Sequence, residues 1–204
     1  MVKIFKIPSF VRCFLPNRTW NFKVESKQIF LTFDDGPQSE ITPWLLDLLA
    51  SESIHATFFC VGKNVKSNPE LFERILNEGH VVGNHTMEHD VFSRDHEAVY
   101  LQSIKEASDL IPSKLFRPPY GKLGNNLARR LSENYRIIMW SWMSYDFDER
   151  VAIQKILKQS KKIKAGDILV FHDNVKSAKR LKILLPIIIS SLKKSGFEFR
   201  TIAL

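Results

Sequence analysis

Residues 27–37 read KQIFLTFDDGP, an apolar run that ends on two adjacent carboxylates, Asp34 and Asp35, and a Gly-Pro pair. The run predicts a strand, and Gly36-Pro37 predicts the turn that stops it. Like charges side by side repel, and on a strand they would point to opposite faces. A turn would lose nothing by replacing one aspartate with Ser or Asn. Keeping both therefore points to a cationic partner.

The same pattern of an apolar run with a polar end recurs outward from this stretch. ATFFCVG (56–62), VVGNH (81–85), KLFRPPY (114–120), YRIIMWSW (135–142), GDILVFH (166–172) and GFEFRTIA (196–203) read as further strands. Helical patterns lie between them. One covers 42–53, with Thr42 as N-cap and Pro43 at the first helical position. Another covers 68–80, opened by Asn68-Pro69 and closed by Gly79. Others cover about 95–110, 125–134, 151–162 and 177–194, the last bent or broken near Pro186. Seven strands alternating with helices predict an α/β fold of parallel strands with crossover helices. Several strands are apolar throughout, as when both faces are covered.

A closed βα barrel and an open doubly wound sheet both fit that alternation. TFDDGP, GNHTMEH, RPPYG, SYDFD and VFHDN all fall at the C-terminal ends of expected strands, the edge where chemistry gathers in α/β folds. Five such ends converge on one centre in a barrel. In an open sheet the outer ones lie too far apart. Residues 1–27 are expected to be a basic, apolar segment packed across one end of the domain.

The 204 residues are ordinary in composition, 44% hydrophobic and 25% charged, with a net charge of +8. That charge favours anionic glycans, phospholipid headgroups or nucleic acid as partners. KQSKKIK (158–164), the densest basic cluster, reads as an exposed helix face. Cys60 sits in an apolar run and reads as a small buried hydrophobe. Cys13 is the only other cysteine, and no C-x-x-C occurs. MVKIFKIPSFVRCFLPNRTW (1–20) lacks both an uninterrupted apolar core and a cleavage site, so no cleavable signal peptide is evident. LKILLPIIISSL (181–192) is too short to span a bilayer, so no transmembrane helix is expected. The expectation is a soluble chain, cytoplasmic or peripherally associated with a membrane.

His85 and His89 have H-x3-H spacing, which on a helical turn brings both rings to one face. With one carboxylate of the Asp34-Asp35 pair they make a two-imidazole, one-carboxylate metal site with open positions. The second carboxylate, left free beside the ion, suits a general base. His172 is a candidate general acid, since its ordinary pKa is near neutrality. Asp146 and its neighbour Asp148 are candidates to orient it. Arg117, buried near Asp34, would hold that carboxylate ionised.

In this order, T-F-D-D-G-P, H-T-x-x-H, R-x-P-Y, a Trp-containing strand leading to Asp, and F-H-D resemble the polysaccharide deacetylase family, from about Gln28 to the C-terminus. These are metal-dependent carbohydrate esterases with the chitooligosaccharide-deacetylase homology domain. The resemblance implies a distorted (β/α) barrel of about seven parallel strands, with residues 28–204 as the catalytic domain. It implies that Asp35, His85 and His89 hold a divalent ion, commonly zinc, with cobalt or another divalent ion as alternatives. It assigns Asp34 as base held by Arg117, His172 as acid held by Asp146, and the Tyr120 N–H as oxyanion donor. Two positions depart from the family pattern. Phe147 stands for the usual Trp after Asp146, and Val170 for the usual Leu before His172, so the acyl pocket changes shape while the catalytic groups stay.

The expected reaction is hydrolysis of an N-acetyl group, with O-acetyl as the alternative, on a glycan, with anionic and membrane-associated glycans as candidate substrates. Nucleic acid is not an expected partner, because a two-metal phosphoryl site needs more central carboxylates. A non-haem Fe(II) oxygenase shares the two-His, one-carboxylate set but has no use for Asp34 and His172. A non-catalytic glycan binder on the same fold, or a deacylase of a non-glycan amide, are the remaining alternatives. Trp140 and Trp142 alternate along one strand, so at most one faces the interior, and both are expected in the core.

Overall fold

A computed structural model describes residues 3–203. Its strands are β1 (Gln28–Asp34), β2 (Thr57–Cys60), β3 (Val81–Asn84), β4 (Leu115–Phe116), β5 (Arg136–Ile137), β6 (Trp142–Met143), β7 (Ile168–His172) and β8 (Glu198–Arg200). The helices are α1 (Ser9–Cys13), α2 (Thr42–Ser51), α3 (Gly62–Ser67), α4 (Pro69–Asn77), α5 (Glu97–Leu110), α6 (Asn125–Leu131), α7 (Ile153–Ser160) and α8 (Val175–Lys194). The strands pair in parallel in the order β5-β4-β3-β2-β1-β7-β6, with β8 beside the start of β1.

The expected single strand over 135–142 is β5 and β6 in one extended ribbon. Its first half bonds to β4, with Ile138 N donating to Phe116 O at 2.8 Å. Its second half bonds to β7, with Ser141 N donating to Ile168 O at 3.0 Å. One ribbon thus joins the two ends of the strand order and curls the sheet into a distorted (β/α) barrel. The chain N-terminal to β1 lines the ribbon's other side. Thr19 bridges Ile138, and Lys6 bridges Trp142 in antiparallel sense.

Alternation along the strands sorts side chains to two cores. Ile29, Leu31 and Phe33 of β1, with Leu169 and Phe171 of β7, face the helices, where they meet Leu45, Leu46 and Leu49 of α2 and Leu184, Leu185 and Ile188 of α8. Phe30, Phe59, Ile168 and Val170 fill the barrel interior with Trp140. Trp142 goes to the outer core and Trp140 to the inner one, as alternation requires. Cys60 is fully buried, which raises its thiol pKa well above the ordinary value.

Three local expectations need correction. Thr42 is the first residue of α2, and the capping position falls on Ile41. The Thr42 hydroxyl instead accepts from Gln38 N at 2.6 Å and donates to Asp173 at 2.8 Å, so it is used to hold the DDGP turn. α8 runs unbroken through Pro186, which rules out the expected break there. Its buried stripe of Leu181, Leu184, Leu185, Ile188, Ile189 and Leu192 outweighs the loss of one backbone bond. KQSKKIK is helical only to Ser160, after which the chain turns toward β7.

Candidate active site

β1 delivers Asp34 to its C-terminal end. Thr32 and Asp34 share the inward face of the strand, as do Val170 and His172 on β7, and Asp34 sits in register with His172. Asp34 Oδ1 receives Arg117 Nη1 at 2.5 Å. Arg117 is fully buried, and its other bonds run to Thr32 Oγ1 (2.7 Å), Ile138 O (3.1 Å) and Met139 O (2.9 Å), with its guanidinium 4.0 Å from the Phe59 ring centroid. Burial pulls its pKa down and Asp34 pulls it back up. The arginine is a buried clamp on one carboxylate.

Asp35 adopts φ 81°, and this left-handed turn points its side chain away from Asp34. Such a backbone costs a non-glycine residue about 1 kcal/mol. Asn64 Nδ2 holds the Asp35 carbonyl at 2.6 Å, and Asn174 Nδ2 holds its Oδ2 at 2.6 Å. Asp35 Oδ1 is buried without a hydrogen-bond partner, 3.5 Å from His85 Nε2 and 3.2 Å from His89 Nε2. His85 Nδ1 lies 2.7 Å from Arg117 O; donating there leaves the Nε2 lone pair free. One ligand atom from each of the three residues lies within 4.8 Å of the others. An orphaned carboxylate oxygen between two imidazole nitrogens fits a divalent ion. Burial pushes the Asp35 carboxyl up, but the imidazoles around it hold it well below the usual carboxylate range.

The spacing argument expected His85 and His89 on a helical turn. They lie on a loop, in which Thr86 has φ 66° and His89 φ 60°. The loop folds back through Asn84, whose Oδ1 accepts from Thr86 N at 2.8 Å. This recoil supplies the proximity that helical periodicity would have given.

Opposite Asp34, His172 Nδ1 lies 2.7 Å from Asp146 Oδ1, and His172 N donates to Asp146 Oδ2 at 2.8 Å. Ser144 Oγ adds a third bond to Asp146 at 2.8 Å. Asp148, the other candidate for this partner, is taken by Arg150 and Lys3. Burial lowers the His172 pKa, but Asp146, with Asp35 and Asp34 behind it, raises it to about 9. Phe147 packs edge-on against His172, centroids 4.7 Å apart.

Asp34, Asp35, His85, His89 and His172 line one cavity of about 540 Å³ with Tyr120, Trp140, Met143, Phe147 and Val170. Tyr120 has φ 57°, its ring lies 4.7 Å from His89, and its backbone N–H donates to no group among the described residues. Apart from Asp148, every candidate site residue expected from the sequence reaches this one cavity or holds a residue that does. Asn64, Asn174, Thr32 and Ser144 went unrecognised. Asn174 carried a signal, as an N-cap residue two positions after His172. The other three carried none.

The family model described as polysaccharide deacetylase matches residues 22–137, more than half of the chain. The chain belongs to the polysaccharide deacetylase family. A peptidoglycan-N-acetylglucosamine deacetylase of Bacillus cereus is 34% identical over 193 residues, covering 91% of each chain. A chitooligosaccharide deacetylase of a Bradyrhizobium species is 31% identical over 209 residues, covering 93% of this chain and 95% of that one. The crystal structure of the Bc1960 peptidoglycan N-acetylglucosamine deacetylase superposes with a TM-score of 0.83 at 29% identity, over 96% of this chain and 95% of that one. The matched family segment ends before Asp146 and His172, and both relatives' alignments span most of the chain beyond it. In this polysaccharide deacetylase the barrel agrees with the expected fold.

Proposed function

We propose that this polysaccharide deacetylase hydrolyses the acetamide of N-acetylglucosamine units in a glycan, with Asp35, His85 and His89 holding a zinc ion. N-Acetylglucosamine is common to peptidoglycan and chitooligosaccharide, the glycans named for its relatives. The borderline nitrogen and oxygen donor set suits zinc. When bound, the ion supplies Lewis-acid polarisation and a water of lowered pKa.

Asp34, ionised against Arg117, accepts the proton of the attacking water as its oxygen bonds to the carbonyl carbon. The free Tyr120 N–H donates to the oxygen that gains charge. His172, held through Nδ1 by Asp146, gives its Nε2 proton to the amide nitrogen as the C–N bond breaks, leaving acetate and the free amine. Met143, Phe147 and Val170 shape the slot for the acyl methyl. Phe147 also fixes the His172 ring edge.

The observation that carries this reading is the pairing of Asp34 with His172 across β1 and β7, each with its own buried partner of opposite charge. A glycan-binding relative without activity would not need both proton-handling pairs intact. The test is acetate release from chitotetraose by zinc-loaded protein, with chelator-treated protein as control. Zinc-dependent acetate is expected, and its absence from this and from peptidoglycan-derived oligomers would overturn the proposal.

A further inference from the structure

The site cavity has an asymmetric rim. Two lysines line it, Lys63 at the start of α3 and Lys176 at the start of α8. Lys63 is held by Glu88 at 3.1 Å. No carboxylate lies within ion-pair distance of Lys176 among the described residues; its Nζ rests 6.0 Å from the Phe147 ring centroid. Among the described residues the only acids lining the cavity are Asp34 and Asp35, one taken by Arg117 and the other by the candidate metal cluster. Behind Lys176, α8 carries Lys179, Arg180, Lys182, Lys193 and Lys194 and no acidic residue, and its positive N-terminal end opens at the cavity. An unpaired ammonium in such a field attracts an anion from the ligand.

Lys176, Phe147 and His172 form one wall in that order. The His172 side of the cavity is the side of the leaving nitrogen. In a 2-acetamido sugar that nitrogen is on C2, so the C3 substituent and the C1 linkage are its nearest neighbours. We infer that Lys176 is a specificity-determining residue that binds a carboxylate on the sugar next to the acetylated N-acetylglucosamine, making an acidic N-acetylated glycan the preferred substrate. This rests on the deacetylase reading for the position of the leaving nitrogen, and on the rim itself for the charge preference.

Binding of three tetrasaccharides to zinc-loaded protein at low salt tests it by calorimetry. Chitotetraose is neutral, an alternating N-acetylglucosamine–N-acetylmuramic acid oligomer carries its acid on the O3 ether of the neighbouring sugar, and a hyaluronan oligomer carries it directly on C5 of the neighbouring sugar. One acidic oligomer is expected to bind more tightly than chitotetraose, and which one does places the carboxylate. Lys176→Gln is expected to cut that preference about five- to tenfold, and Lys176→Arg to retain it. An equal preference in the wild type and Lys176→Gln, or none in the wild type, overturns the inference. Acetate assays on the same oligomers separate the two proposals. A charge preference without acetate release leaves the anion site and removes the deacetylase reading; acetate release without preference does the reverse.

Discussion

Asp34 and Asp35 are neighbours in the chain with opposite surroundings. One is gripped by a buried guanidinium, and the other presents an orphaned oxygen to two imidazoles. Asp34→Asn should therefore lower kcat by about 10²–10⁴-fold while elemental analysis still finds one zinc per chain. His85→Ala should lose the zinc itself. Normal turnover in Asp34→Asn would remove the base assignment. The acid side makes a pH prediction. In the proposed mechanism His172 works protonated, and Asp146 helps to hold its pKa up at about 9. The alkaline limb of the kcat profile should move to lower pH in Asp146→Asn, because one raising charge is gone; an unmoved limb would sink the pairing. At this scale the sequence showed most of the site, since chemistry-bearing side chains at strand ends stand out against apolar runs. Which aspartate is base and which ligand was not readable from spacing. It depends on Asp35 taking a left-handed turn, and no residue type announces that.

Elements were legible where one face is buried and obscure where the chain bonds to itself. The H-x3-H pair reads as a helix because periodicity ignores loops such as 84–89, which Asn84 ties together through its own side chain. α3 carried too short a pattern to be recognised. Between α4 and β3, His80 is buried and accepts from Ala56 N at 3.1 Å, so its imidazole is neutral. Burial lowers its pKa from 6.5 to about 4. The unfolded chain thus takes up a proton between pH 6.5 and 4 that the folded chain refuses, and stability is lost as pH falls through that window. In metal-free protein, His80→Gln should flatten the urea-measured stability over this range relative to the wild type. Equal slopes would show that His80 is not responsible.

The whole molecule is a barrel whose candidate metal ligands come from the end of β1 and the loop after β3, far apart in sequence. An ion that binds only when these are assembled stabilises the fold as a whole, by about 2.7 kcal/mol at a free concentration of 100 Kd. The melting temperature should rise with free zinc and fall with chelator in the wild type, and stay constant in His85→Ala. The segment before β1 contributes at this scale too. Phe5 is buried in the outer core, Met143 N donates to Phe5 O at 2.9 Å, and Ile7 N to Ser141 O at 3.1 Å. Deleting residues 1–8 should therefore lower the melting temperature by several degrees, about what 1 kcal/mol does in a domain of this size. The barrel could be foreseen from five polar ends needing one centre. The split of 135–142 into two strands could not, because pairing partners are not written in a strand's own residues. That ribbon is a ruler with two marks. Ile138 and Met139 set the guanidinium behind Asp34, the proposed base, and a few residues on Asp146 sets the imidazole of His172, the proposed acid. A residue inserted between the marks would put donor and acceptor out of step with each other even if each kept its own companion.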